Sequence, residues 1–235
     1  MKTQRLKHAR IELALHELRA ARSPLGSADS ASPRASLADG GRPLLLLHGL
    51  GERSPRDVPA YADAWPGPIH ALDFTGHGES SLSGSGGYSA EVLMGDTDAA
   101  LRQLGKATLL GRGLGAYVAL LIAGARPTLV RGAILCDGLG LAGGGAEAAT
   151  PSLVYPNPHA LAPPDPFALV ELARDVRPPD YATAFWRQAD ELSGLERPIA
   201  VCCAERPDWL EAVLKESGLR VTTVEAALAE YARVA

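Results

Sequence analysis

Residues 107–125 read Ala-Thr-Leu-Leu-Gly-Arg-Gly-Leu-Gly-Ala-Tyr-Val-Ala-Leu-Leu-Ile-Ala-Gly-Ala, and this stretch decides the fold class. Ala107–Leu110 is an apolar run of strand length. Gly111–Gly115 is a turn with glycine at every second position, and Leu114–Ala125 is a strongly apolar helix stopped by Pro127. A strand feeding through a tight turn into a buried helix is the repeating unit of a parallel sheet.

Working outward, the same alternation recurs. Leu44–Leu47, Ile69–Phe74, Ala133–Cys136, Ile199–Cys203 and Arg220–Val224 have strand character. Asp57–Trp65, Ala90–Leu104 and Trp209–Glu216 have helical spacing, and Gly105 ends the second of these as a C-terminal glycine. The chain therefore reads as a single α/β domain over residues 1–235. Ile11–His16 alternates as a half-buried strand does, although Ile11, Leu15 and Leu18 also share a helix face. Residues 23–41, rich in Ser, Ala, Asp, Gly and Pro, are expected to form a mobile loop. Between 138 and 195 the pattern lapses into Gly, Pro and short helical pieces (Phe167–Arg174, Tyr181–Leu192), as a small cap inserted above the sheet would.

Composition excludes several classes. The 235 residues are 46% hydrophobic, enough for a sizeable core, and the formal net charge of −4 argues against a nucleic-acid binder. Three cysteines, two of them adjacent, build no disulfide framework. No apolar h-region precedes Arg10 and Glu12, and the longest apolar runs fall far short of a membrane span. The expectation is a cytoplasmic protein without a membrane partner; its oligomeric state is not encoded in these patterns.

Three motifs fall at the carboxyl ends of successive strands: His48-Gly49-Leu50-Gly51, Asp73-Phe74-Thr75-Gly76-His77-Gly78-Glu79-Ser80 and Gly111-Arg112-Gly113-Leu114-Gly115. Together, in this order, they resemble the α/β-hydrolase fold family over roughly Arg42 to Val224. The resemblance implies a mostly parallel central sheet flanked by helices, opened by antiparallel strands, which favours a strand at Ile11–His16. It also implies a nucleophile elbow of the form G-x-S-x-G. Gly111 and Gly115 keep the flanking positions, but the nucleophile position is Gly113, which has no side chain to attack with. The family's catalytic His sits in the loop after the last strand, here Val224–Leu228, and no histidine follows His159. Asp137 is the candidate acid, with Glu205 or Asp208 near the other place the family uses. Loss of nucleophile or base costs on the order of a million-fold in turnover.

The family's oxyanion hole uses backbone N–H groups, which by the resemblance are those of Leu50 and Leu114 beside Gly113 and His48. The implied function is that of a hydrolase relative without Ser–His–acid catalysis, with a pocket above Gly113 for a small carbonyl or acyl ligand and no cofactor or metal. The competing reading is a hydrolase or lyase working through His48, His77 or Asp137 around that hole. A third is a dinucleotide site, since Gly111-x-Gly113-x-x-Ala116 matches G-x-G-x-x-G/A and Asp137 follows at a strand end. The upstream His48-Gly49 and Asp73–Ser80 motifs weigh against it. Plainer roles are favoured for several residues: Arg112 packed beneath the elbow, His48 and His77 bracing turns, Asp73 bracing the Gly76–Ser80 loop, and Cys202 and Cys203 lining a strand. Val154–Pro166, with Tyr155 and His159, reads as a pocket mouth or a rigid loop.

Overall fold

Leu44–Leu47 forms a strand whose residues alternate between two cores. Leu45 and Leu47 face one hydrophobic cluster and Leu44 and Leu46 the other, as a period of two requires of a strand covered on both sides. The computed structural model describes residues 1–21, 41–84, 86–144, 162–216 and 219–234. Apart from Gly41, the loop expected at 23–41 lies outside these, as do Tyr155 and His159.

The strands are β1 (Lys2–His8), β2 (Ile11–Arg19), β3 (Leu44–Leu47), β4 (Ile69–Asp73), β5 (Ala107–Arg112), β6 (Val130–Cys136), β7 (Ile199–Cys202) and β8 (Arg220–Val221). They form one sheet in the order β1-β2-β4-β3-β5-β6-β7-β8. β1 and β2 run antiparallel to their neighbours, and β3 to β8 are parallel. Ile11–His16 is thus a strand, and β1 is a further one that apolar patterning does not reveal, since Leu6 is its one buried residue.

The helices are α1 (Ala90–Leu104), α2 (Leu114–Ala125), α3 (Pro166–Arg174), α4 (Pro179–Leu192), α5 (Asp208–Leu214) and α6 (Val224–Tyr231). α1 starts at an N-cap, Ser89, and ends at Gly105 with φ 75°. Helices α1, α2, α4 and α5 cover one face. Ala182, Trp186 and Ala189 of α4 join that core, so α4 lies in the flanking layer and not, as expected of 138–195, above the sheet. α3 is tied to the loop after β4: Asp165 and Glu171 accept hydrogen bonds from the Tyr88 hydroxyl and N–H, and Asp175, just beyond the helix, accepts from Ala90 N–H.

The other face is covered by α6 and by a single 3-10 turn, Ala60–Ala62. A helix over 57–65 was expected. Pro59 lacks an N–H and Pro66 closes the segment, leaving too few residues to propagate one. At the other end β8 stops at Val221 and α6 begins at Val224, where Thr223 caps it by accepting from Ala226 N–H. The loop expected at Val224–Leu228 is helix. Val224, Ala227, Leu228 and Tyr231 line its apolar face.

Candidate functional site

The elbow joins β5 to α2 at Gly113, whose φ of 56° and ψ of −118° lie outside the regions open to ordinary residues. A Cβ on Gly115 would come within 2.6 Å of Leu47 O, so α2 starts hard against the end of β3. The strand-to-helix turn is therefore built on glycines for close approach.

The loop after β6 crosses directly over this turn. Leu50 N–H and Leu114 N–H both donate to the carbonyl oxygen of Leu139, each at 2.9 Å. One amide from the loop after β3 and one from the start of α2 converge on one acceptor, and that acceptor belongs to the chain itself. A Cβ on Gly113 would overlap Leu139 O and stand 2.7 Å from Gly138 O. The pocket expected above Gly113 is thus corrected: the backbone of Gly138-Leu139 fills that position. Gly140, at φ 76°, completes the crossing, since a Cβ there would meet Leu50 Cβ at 2.6 Å.

This plug is held from further along. Leu141 O accepts from Trp209 Nε1 at 2.9 Å and from Arg177 Nη1. Gly144 N–H donates to Asp175 O at 2.8 Å. The Arg177 guanidinium is buried over the Tyr117 ring, 4.9 Å from its centroid, and burial lowers its pKa to about 10. Gly138, Leu139 and Gly140 are the residues that the sequence reading missed. The signal was the Asp137-Gly138-Leu139-Gly140 run, whose alternate glycines mark a close backbone crossing.

The remaining candidates are engaged in holding loops. His48 is buried; its Nδ1–H donates to Gly49 O at 2.7 Å and its Nε2 accepts from Phe74 N–H at 3.1 Å. Burial, reinforced by neighbouring His77, pushes its pKa down to about 4, so the ring is neutral at pH 7. His77 likewise donates to Thr75 O and accepts from Gly51 N–H, and burial lowers it too. Asp137 accepts from Ala204 and Glu205 N–H at 2.7 and 3.0 Å, binding the end of β6 to the end of β7; no imidazole among the described residues is its partner. Asp73 is buried. Burial opposes its charge, but hydrogen bonds from His16 and from Glu79 and Ser54 N–H outweigh that and hold its carboxyl below the usual range.

Open space lies on the face carrying α6, where a cavity of about 440 Å³ runs along the carboxyl ends of β3 and β5. A second, of about 320 Å³, continues past Arg112 to Cys136 and Glu225. Among the described residues, no group of three or more His, Cys, Asp or Glu is arranged to hold a metal, and no helix is long and apolar enough to cross a membrane.

A family model described as the alpha/beta hydrolase family matches residues 44–233. No curated protein matches the chain. Among solved structures, E-2-(acetamidomethylene)succinate hydrolase is similar at 25% identity with a TM-score of 0.42, over 57% of this chain and 43% of that one. An epoxide hydrolase from Vigna radiata is similar at 20% identity and a TM-score of 0.44, over 57% and 38%. The chain spans less than half the length of either. The N-formylmaleamic acid deformylase from Pseudomonas putida S16 aligns over 95% of this chain and 92% of its own, at 14% identity and a TM-score of 0.55, a likeness of fold alone.

Proposed function

The chain belongs to the alpha/beta hydrolase family, and from that premise we propose that it is a non-catalytic member whose elbow is closed by its own backbone. The observation that carries this reading is the Leu139 carbonyl oxygen held by both Leu50 and Leu114 N–H. In acyl transfer such donors must be free to meet the oxyanion as it develops, and loss of one costs about 10²- to 10³-fold. Here both are engaged, beside a position that carries no nucleophile. A carbonyl or acyl ligand would reach them only by displacing Leu139, exchanging two amide hydrogen bonds for two of the same kind. That exchange leaves little net affinity at the elbow. Catalysis through His48 or His77 is disfavoured because both ring nitrogens of each already serve turns, and Asp137, which ties β6 to β7, has no imidazole to orient among the described residues.

The test is hydrolysis of p-nitrophenyl acetate, butyrate and octanoate by the purified protein, with a fluorophosphonate probe in parallel. Rates at the buffer background and no labelling beyond a denatured control are expected. Saturable ester turnover, or stoichiometric labelling of a serine in the native protein, would overturn the reading.

A further inference from the structure

With a 3-10 turn in place of a helix between β3 and β4, the carboxyl ends of β3, β5 and β6 stay uncovered on the α6 face. The 440 Å³ cavity there lies within the roughly 300–1,000 Å³ usual for small-molecule sites. It also lies between the two strands whose onward connections part in opposite directions, β3 toward β4 and β5 toward β6. Such a switch point is where sheets of this kind take ligands.

The polar groups in this crevice are under-used. Arg112 makes no hydrogen bond among the described residues; its one ion pair, with Glu52, spans 3.8 Å, and its side chain is 46% exposed. Tyr61 lines both cavities beside it, its hydroxyl also without a hydrogen bond among the described residues. Ser54 Oγ is buried, with no hydrogen-bond partner among the described residues. The walls are apolar, from Leu46, Leu110 and Pro59. A guanidinium fork with free donors fits the two oxygens of a carboxylate. Arg53 also lines the cavity, and with Glu52 beside Arg112 the lining carries a net single positive charge, which matches a monoanion with an apolar body better than a dianion such as phosphate.

We propose that this crevice binds a small organic carboxylate, with its charged end on Arg112 beside Tyr61 and its apolar body along Leu46 and Leu110. The proposal goes beyond the non-catalytic reading and does not depend on it, because binding and ester turnover are measured separately.

Calorimetric titration with benzoate and hexanoate, against benzyl alcohol and inorganic phosphate, tests it. Sub-millimolar binding of both carboxylates is expected, with benzyl alcohol and phosphate weaker by about tenfold or more. Arg112→Gln should weaken the carboxylates by about tenfold. Arg187→Gln, the same charge change on the exposed side of α4, should leave their affinity unchanged. Should Arg112→Gln fail to fold, Tyr61→Phe decides instead, with weakened binding expected. No carboxylate binding at millimolar concentration overturns the proposal. So does phosphate or benzyl alcohol binding as tightly as benzoate, or unchanged carboxylate affinity in the deciding variant.

Discussion

Gly113 and Leu139 form one feature. The carbonyl of Leu139 stands where a side chain on Gly113 would begin and accepts from both Leu50 and Leu114 N–H, so the bare turn and its occupied amides are two aspects of a single backbone crossing. A glycine at 113 lets the loop after β6 cross directly over the turn, and that loop takes the hydrogen bonds of both amides.

Restoring the hydroxyl should therefore damage the fold before it helps catalysis. Gly113→Ser adds a Cβ at φ 56° and drives it into Gly138-Leu139, a combination of strain and overpacking expected to cost about 2–4 kcal/mol. Urea unfolding measures the loss, and esterase activity should stay at background because the ring nitrogens of His48 and His77 already serve turns. Wild-type stability in the variant would mean that the crossing loop yields easily and does not plug the site.

Leu139 acts through its backbone alone. The residue is 61% exposed, so Leu139→Ala should change stability by less than about 0.5 kcal/mol. The amides of Leu50 and Leu114 should be strongly protected in hydrogen exchange, in the wild type and in this variant alike. Rapid exchange at both amides in the wild type would place the Leu139 carbonyl elsewhere in solution.

Acid should weaken the protein well before its carboxylates titrate. His48 is held neutral with a pKa near 4, whereas the unfolded chain takes up that proton at about 6.5, so stability falls as the pH drops from 6.5 toward 4. The loss by pH 5 is about 2 kcal/mol from this residue, and His77 adds in the same direction. His8, raised by its hydrogen bond to Asp96, works oppositely, contributing stability at low pH that fades as pH rises through its folded pKa. It is partly exposed and weaker. Asp73 contributes above the ordinary carboxylate pKa, and its share is lost only below that. His48→Asn should lower stability at pH 7 yet reduce the further loss between pH 7 and pH 5. An undiminished loss would show that His48 is not the group responsible.

The thiols should differ in reactivity. Cys136 and Cys202 are register partners on β6 and β7; the neighbouring Cys136 lowers the Cys202 thiol, while Cys202 and burial raise Cys136, and burial raises Cys203. Iodoacetamide should modify Cys202 first, and Cys136→Ala should slow that reaction. Mass mapping of partly alkylated protein checks the order. Cys203 reacting first would contradict it.

Strand and helix periodicity made most of the fold readable. α1 matches its expected bounds at both ends because its cap and terminal glycine are local devices, and β3 and β5 are apolar whatever lies around them. β1 escaped because an edge strand buries little, and residues 57–65 kept the composition of a helix without the length to propagate one. The helix at Val224–Tyr231 was signalled by Thr223 and its apolar face, but the resemblance directed attention to a loop there.

What the amino-acid order determined by itself was the glycine-rich strand-to-helix turn, the glycine at its centre and the absence of a histidine after His159, because these depend on residue identity at one position or a short spacing. The acceptor for Leu50 and Leu114 N–H, and the exposure of Arg112 to a crevice instead of packing beneath the turn, were decided only in three dimensions. Both depend on which distant segment arrives at the carboxyl end of the sheet: Gly138-Leu139 over the elbow on one side, and a turn too short to cover the strands on the other. A backbone amide bonds to whichever acceptor the fold brings within reach, and no side-chain pattern along the chain records that choice.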